Sequence, residues 1–404
     1  AAIDSVHTLF KFPLNFMNGL ASGATIIISG HCGSKDEKQM HCSIRTACTV
    51  AVILGVVCSV GGVILTPWML QIMSVPDEVY GRAFVYTTIY FGGIWSMVLY
   101  NMAAGILRAY GDSKRPLYYL IVCCIINIVL DVLFVIVFHM GVMGVAVATL
   151  IAQAVSAVLV TLKLMRSEGI LKLSVKQIRF HGSILKMQLK LGLPTGFEAI
   201  LFSITNIAIQ SAVNTFGTDT TAAWSAYGKL DAIFWMVSTA FGIAITTFVG
   251  QNYGAGKMDR VRKSTRVCLL MDFIVSAVLV VFLIAARFLL FRLFTNDSHV
   301  IEIGCDMLVL ITPWYIVYVF IEVIAGALRG VGNVVVPVAI TLLGVCVLRI
   351  AWLAAMLKIS PTISAIILSY PVTWVITALA FIIYYIYITH KTIAGSSKKH
   401  VPKL

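Results

Sequence analysis

Charged side chains are scarce in this chain: only 12% of its 404 residues are Asp, Glu, Lys or Arg, and acidic residues number 17. Apolar residues make up 60% of the sequence, and the mean hydropathy is +0.96. A soluble domain of ordinary composition carries about twice this share of charge. The composition therefore excludes a soluble globular protein and predicts an integral membrane protein.

Sequence motifs of enzymes and metal proteins are missing as well. The nine cysteines form no CxxC pair, and neither an HExxH motif nor a paired catalytic aspartate is present. Most of the cysteines lie inside apolar runs, so we interpret them as small packing residues. The eight histidines fall in loops or near the ends of apolar runs. An intramembrane enzyme is therefore disfavoured, and no cofactor is predicted.

Apolar runs long enough to cross a bilayer recur along the whole chain. A membrane helix needs about 20 mostly apolar residues, whereas the strands of a barrel would alternate in polarity over about ten. The runs here are continuous, so the sequence predicts an all-α polytopic membrane protein. The eleven predicted spans lie at roughly 8–30, 46–70, 82–107, 117–138, 142–164, 191–216, 222–250, 266–291, 301–328, 335–357 and 362–388.

The formal net charge of +13 does not require a nucleic-acid partner, because the positions of the Lys and Arg residues explain it. If the loop between residues 30 and 45 is cytoplasmic, the cytoplasmic loops and the tail hold 23 of the 30 Lys and Arg. This bias follows the positive-inside rule. We therefore predict a multi-pass protein of the cell (inner) membrane with a cytoplasmic C-terminus, with lipid as its surroundings and no nucleic-acid partner.

The chain is duplicated at an offset of 221 residues. The segment AGILRAYGDSKRP at 104–116 superposes on AGALRGVGNVVVP at 325–337, and Thr25 and Gly33 superpose on Thr246 and Gly254. Both copies carry a basic loop at the same place, so they share an orientation. Parallel repeats of this kind place a substrate cavity between two halves of a transporter.

The repeat divides the chain into two lobes. The second copy opens with a helix at 191–216 whose counterpart would precede residue 1, so we expect a natural 6+6 arrangement that here lacks its first helix. The predicted parts are an N-terminal lobe at 1–165, a basic cytoplasmic linker at 166–190, a C-terminal lobe at 191–389 and a basic cytoplasmic tail at 390–404.

Several motifs carry a family resemblance. They are GQNYGAGKMDRVRKS at 250–264, its partner SGHCGSKDEKQMHCS at 29–43, the two LRxxG…P hairpins, INIVLDVLF at 126–134 and GVMGVAVATLIAQ at 141–153. Together they make the chain resemble the multidrug and toxic compound extrusion (MATE) transporters. The resemblance implies a V-shaped pair of six-helix lobes. It also implies efflux of organic, often cationic, compounds in exchange for Na⁺ or H⁺, by alternating access.

Asn127 and Asp131 are the strongly polar side chains of the apolar run 122–138. They lie one helical turn apart, on the same helix face. At a rise of about 1.5 Å per residue, Asp131 and Thr149 fall at the same depth on consecutive antiparallel helices. Their oxygens would suit Na⁺, or a proton on a desolvated carboxylate; the alternative is hydrogen bonding to a neighbouring helix.

The resemblance adds that Asn127, Asp131 and Thr149 fall on the family's N-lobe cation site. In the second copy the positions of Asn127 and Asp131 hold Leu348 and Trp352, so the predicted site belongs to one lobe.

The second lobe has its own polar residues. A stripe on 191–216 repeats every four residues and includes Glu198, Asn206 and Gln210, which are predicted to line a substrate or cation cavity, as the family's acidic residue on this helix does. Glu322 and Arg349 are predicted either to line the same cavity or to pair with each other. Closer to span ends, solvated side chains are expected at Asp231, Asp272 and Asp306.

Other transporter classes stay open at this point. A major facilitator also has 6+6 parallel repeats and a basic loop after its second helix, but the LRxxG hairpins argue against it. A lipid-linked oligosaccharide flippase would be expected to have a more cationic cavity. The predicted partners are small organic molecules, chiefly cationic, and the predicted assembly is a monomer.

Overall fold

Helices make up the fold in a computed structural model of the chain, which describes residues 2–73, 75–167, 171 and 180–395, with no strand among them. A helix satisfies its backbone N–H and C=O groups within its own segment, which lipid cannot do. The helices are α1 (Ala2–Ser34), α2 (Glu37–Ile72), α3 (Asp77–Tyr110), α4 (Lys114–Asp131), α5 (Gly141–Arg166), α6 (Gly182–Asn214), α7 (Thr218–Gly254), α8 (Met258–Ala285), α9 (Arg287–Arg292), α10 (Ser298–Ile311), α11 (Tyr315–Gly330), α12 (Val335–Thr341), α13 (Leu348–Ile359), α14 (Ile363–Ile367) and α15 (Ser369–Gly395).

Ten helical segments of the described residues are long and apolar enough to cross a membrane. They coincide with ten of the eleven spans predicted from the sequence, which confirms the all-α polytopic class. The remaining predicted span, 8–30, falls within α1, where the side chains of residues up to 12 lie outside the description.

Three short turns of other helix types join α-helices into longer spans. The two π-helical turns are Val132–Val137, after α4, and Leu342–Val347, between α12 and α13. A 3₁₀ turn at Thr312–Trp314 joins α10 to α11. This turn contains Pro313, which has no backbone N–H to continue the α-helical ladder. The π turns have no such simple sequence signal.

The two predicted LRxxG hairpins are confirmed as helix ends. Gly111 follows α3 with φ 105°, and Gly332 follows α11 with φ 82°. Both values lie in the left-handed region that glycine adopts without a steric penalty. The amide of Asp112 then donates to the carbonyl of Leu107, which closes the turn.

Two compact units divide the chain by contact, Ala1–Ile200 and Leu201–Leu404, and the boundary falls within α6. The predicted lobe boundaries stay a prediction. The predicted linker at 166–190 includes residues 168–170 and 172–179, which lie outside the described residues. The predicted tail at 390–404 does so from residue 396 onward.

The first unit is centred on α3, which packs against α1, α2 and α5, while α4 lies against α5. The first half of α6 approaches α1 through glycines. A Cβ on Gly23 would lie 2.6 Å from the amide nitrogen of Gly192 and 2.7 Å from the carbonyl oxygen of Gln188. Small residues allow such close backbone approach, which gives membrane helices much of their packing energy.

The second unit is centred on α7 and α11, which pack against each other, with α8 and α10 on α7 and α15 on α11. Its core is aromatic: the rings of Phe234 and Tyr315 stack at 3.9 Å, and Trp374 packs edge-on against Tyr318 at 5.5 Å. Aromatic pairs contribute about 0.5–1.5 kcal/mol each beyond the area they bury.

Residues 221 apart have the same packing role in the two units. In the first unit, a Cβ on Gly105 of α3 would meet the hydroxyl of Thr25 on α1. In the second unit, the Thr246 hydroxyl on α7 lies 3.0 Å from the carbonyl oxygen of Gly326 on α11. The internal repeat read from the sequence therefore corresponds to a repeated helix crossing.

Candidate coupling-ion site

Asn127 and Thr149 meet where α4 packs on α5. The Asn127 Nδ2 lies 3.5 Å from the Thr149 Oγ1, and both side chains are partly buried. The Thr149 hydroxyl also donates to the carbonyl oxygen of Val145 at 2.9 Å. Equal depth was predicted for Asp131 and Thr149, whereas the contact with Thr149 is made by Asn127, one turn before Asp131. An amide that donates through Nδ2 keeps its Oδ1 as an acceptor or ligand.

Asp131 ends α4, one turn beyond Asn127. Its Oδ1 is buried, and no described residue forms a hydrogen bond with it. Tyr86 on α3 is close enough to interact with it electrostatically. A buried oxygen without a partner costs about 1–3 kcal/mol, and more when it is charged. Binding of a cation or a proton by this oxygen would remove that cost.

The π-helical turn Val132–Val137 begins directly after Asp131. A π turn carries one extra residue per turn and disturbs the regular i to i−4 ladder; such turns are uncommon and are frequently found at functional sites. The segment then reverses through His139 and Gly141, both with positive φ, at 53° and 55°. Asp131 therefore lies where the regular helix is interrupted.

The polar stripe of α6 is divided by the boundary between the units. Glu198 lies in the first unit and is partly buried, whereas Asn206 and Gln210 lie in the second. Asn206 is exposed, and Gln210 donates through Nε2 to the Asn214 Oδ1 at 2.8 Å. A shared cavity for these residues stays a prediction.

Glu322 and Arg349 do not pair with each other. Glu322 accepts a hydrogen bond from Arg329 on its own helix, Nη2 to Oε1 at 3.1 Å. It lies directly over Gly242 of α7, where any Cβ would collide with the carboxylate. The hairpin spacing suggested Arg349 as the partner, but Arg329 lies two helical turns along the same face and reaches Glu322 without crossing between helices.

Arg349 is held by aromatic rings instead. It is 1% exposed, its guanidinium carbon lies 4.0 Å from the centre of the Tyr370 ring, and its Nη2 donates to the Thr373 Oγ1 at 2.9 Å. Cation–π stacking compensates part of the cost of burying this charge. Its predicted role in a cavity is untested.

Two aspartates expected to be solvated are buried or fully bonded, which corrects that expectation. Asp231 accepts hydrogen bonds from Trp235, one turn later on α7, and from Tyr315 of α11. Asp272 on α8 is fully buried. The expected exposure is found at Asp306 alone of the three. The sequence did carry a signal for the Asp231 hydrogen bonds, because Tyr227, Asp231 and Trp235 are spaced four residues apart on α7.

Comparison with known proteins decides the family. A sequence profile of the family described as MatE matches residues 1–133 and 194–353. The chain belongs to the MATE family. MATE proteins are transporters and not enzymes, and this membership decides against the major facilitator, flippase and enzyme alternatives.

Relatives of the chain are named as multidrug resistance or multidrug and toxin extrusion proteins. The chain is 30% identical to the probable multidrug resistance protein YoeA of Bacillus subtilis (strain 168), over 85% of this chain and 76% of that protein. It is 24% identical to the multidrug and toxin extrusion protein 1 of Oryctolagus cuniculus, over 78% of this chain and 55% of that protein.

Solved MATE structures share the fold. A crystal structure of MATE in the bent conformation superposes with a TM-score of 0.91 at 18% identity, covering 98% of this chain and 89% of that one. An outward-facing MATE family transporter of the MOP superfamily superposes with a TM-score of 0.90 at 19% identity, covering 96% of this chain and 88% of that one.

Proposed function

We propose that this MATE protein is a secondary active exporter that exchanges small organic cations for Na⁺ or H⁺ across the cell membrane. Support for the substrate class comes from the relatives, which are named as multidrug resistance or multidrug and toxin extrusion proteins. Support for the orientation, with a cytoplasmic C-terminus, comes from the distribution of Lys and Arg. The proposed unit of transport is the monomer.

One observation carries the coupling proposal: the buried Asp131 Oδ1, to which no described residue donates, one turn from the contact between Asn127 and Thr149. A carboxylate oxygen in this position is stabilised by binding Na⁺ or a proton. The hydroxyl of Thr149 and the amide oxygen of Asn127 are the further ligands we propose for Na⁺.

Exchange follows from competition between two states. If the coupling cation binds the Asp131 site more tightly in one arrangement of the protein, and the organic substrate prefers the other, each ligand shifts the equilibrium against the other. The coupling is reciprocal by thermodynamic linkage. We propose Glu198, Asn206 and Gln210 for the substrate side of this competition, with Glu322 and Arg349 as further candidates.

The test is cation-driven efflux of a fluorescent organic cation from vesicles that contain the protein. Asp131→Asn keeps the shape of the side chain but cannot carry the charge, so it is expected to abolish efflux driven by either an inward Na⁺ or an inward H⁺ gradient. Asp306→Asn, at an exposed aspartate, is the matched control and is expected to transport normally. Full efflux by the Asp131 variant would remove the coupling role.

A further inference from the structure

Asp272 is a buried carboxylate that the proposed coupling site does not use. It lies in the middle of α8 and is 0% exposed. Its Oδ1 accepts a hydrogen bond from the Ser276 hydroxyl at 3.2 Å. Its Oδ2 is buried, and none of the described residues donates to it. An ionised carboxylate in that state would lack a hydrogen bond that it needs in a medium of low dielectric.

Charged groups near Asp272 do not neutralise it. Glu322 of α11 is the acidic group that reaches Asp272 electrostatically, and the two charges repel. Arg329 is engaged with Glu322 at 3.1 Å. If both acids were ionised, the three side chains would carry a net charge of −1 inside the bilayer. One added positive charge would balance the group.

The remaining groups around this position are neutral. On α8 itself, the Cys268 thiol lies one turn before Asp272 and the Ser276 hydroxyl lies one turn after it. On α7, Gly242 lies beneath the Glu322 carboxylate, and the Thr246 hydroxyl is bonded to backbone carbonyls. Within the described residues, Glu322 is therefore the charged group that acts on Asp272 from a neighbouring helix, and Arg329 is paired with Glu322.

A proton fits this position better than a metal cation. A hard cation needs several oxygen ligands arranged around it, whereas a proton needs a single lone pair. In the described residues no group of three or more His, Cys, Asp or Glu side chains converges as a metal site. The Oδ2 of Asp272 is buried without a hydrogen-bond donor among the described residues, and this disfavours the ionised form.

We propose that Asp272 is a proton-binding site of the second unit, distinct from the Asp131 site, with Glu322 setting how firmly the proton is held. The proton adds to Oδ2 to give a neutral carboxylic acid, and it leaves to water when α7, α8 and α11 separate enough to wet the group. Glu322 and Arg329 are less buried than Asp272, with 19% and 17% of their side chains accessible.

The site has no counterpart in the first unit. The residues 221 positions before Asp272 and Glu322 are Ala51 and Asn101, which do not ionise. Asn101 there donates through Nδ2 to the Asn18 Oδ1 at 2.9 Å. Arg108 occupies the position that corresponds to Arg329, so both copies have this basic residue. The two acidic residues are present in the second copy alone. Each unit would thus hold its own proton-sensitive carboxylate on a different helix.

Infrared spectroscopy of the reconstituted protein tests the proposal without any transport reaction. At neutral pH we expect a carboxylic acid C=O band that shifts on exchange into D₂O and that is lost in Asp272→Asn. The band must persist in Asp131→Asn, which separates this site from the coupling site. A spectrum in which Asp272→Asn removes no acid band would overturn the proposal.

A second variant leaves Asp272 in place, in case Asp272→Asn does not fold. Glu322→Gln removes the repulsion, so the midpoint at which the Asp272 band titrates is expected to move to lower pH. Glu302→Gln, at an exposed glutamate of α10, is the matched control and should leave the midpoint unchanged. An unchanged midpoint in Glu322→Gln, or replacement of the acid band by a carboxylate band on addition of NaCl at constant pH, would contradict a proton site set by Glu322.

Discussion

The crossing of α7 and α11 gives a prediction whose size follows from the structure. An ideal Cβ on Gly326 would lie 2.7 Å from the Cγ2 of Ile245 and 2.8 Å from the carbonyl oxygen of Gly242. Carbon atoms pack at about 3.5–4.0 Å, so the first contact overlaps by roughly 1 Å. The second contact is to the backbone, which cannot rotate away. Gly326→Ala must therefore separate the two helices.

The expected cost can be estimated against a glycine that has room for a methyl group. Overpacking of a tight interface costs about 1–3 kcal/mol. Replacing glycine by alanine inside a helix also stabilises it by about 1 kcal/mol. Gly228→Ala on α7, where nothing lies within 4 Å of the added Cβ, should show this gain alone. The two variants should therefore differ by about 1–3 kcal/mol in stability.

Thermal unfolding in detergent micelles, followed by tryptophan fluorescence, measures the difference. For a unit of about 200 residues, 1 kcal/mol corresponds to roughly 2–4 °C in Tm. The repeat supplies an internal comparison, because a Cβ on Gly105 meets the Thr25 hydroxyl, a side-chain atom that can rotate away. Gly105→Ala should cost less than Gly326→Ala. Equal Tm values for Gly326→Ala and Gly228→Ala would refute the close crossing.

Two further stability predictions follow from single contacts. Trp235→Phe removes the indole N–H that donates to Asp231 Oδ2 at 2.7 Å and should destabilise the protein by about 1–3 kcal/mol. Trp314→Phe, at an exposed ring, should have little effect. Equal Tm values for the two variants would contradict a stabilising role for the Trp235 hydrogen bond. Lys35 follows α1 with φ 57°, so Lys35→Gly should stabilise the protein by about 1 kcal/mol. Lys263→Gly, at an exposed position inside α8, should destabilise it by a similar amount in the same thermal assay. A lower Tm for Lys35→Gly would count against backbone strain at this position.

The spans and the repeat could be predicted from the sequence because they depend on simple physical quantities. A bilayer fixes the length of an apolar run, and a duplicated fold keeps small residues where helices cross, as at Gly105 and Gly326. Helix rise predicts that Asp131 and Thr149 lie level, whereas the residue that contacts Thr149 in the structure is Asn127, one turn before Asp131.

Side-chain partners distant in sequence could not be predicted in the same way. Asp231 was expected to be solvated because it lies near a span end, but its partner Tyr315 is 84 residues away and depends on how α7 packs against α11. Hairpin spacing suggested Glu322 as the partner of Arg349, whereas Arg349 stacks on Tyr370 in the structure. The π turn beside Asp131 could not be predicted either, because its residues are all apolar and so show no periodicity that separates a π turn from an α-helix.

Cation flux per molecule of exported substrate is the most direct measurement of the role proposed for Asp131. In proteoliposomes loaded with an organic cation, its downhill exit should drive Na⁺ or H⁺ in the opposite direction, and this flux is followed with radioactive sodium or a trapped pH dye. The proposal predicts that Asp131→Asn still binds the organic cation but moves no coupling ion. Cation counter-flux at the wild-type ratio in that variant would contradict it.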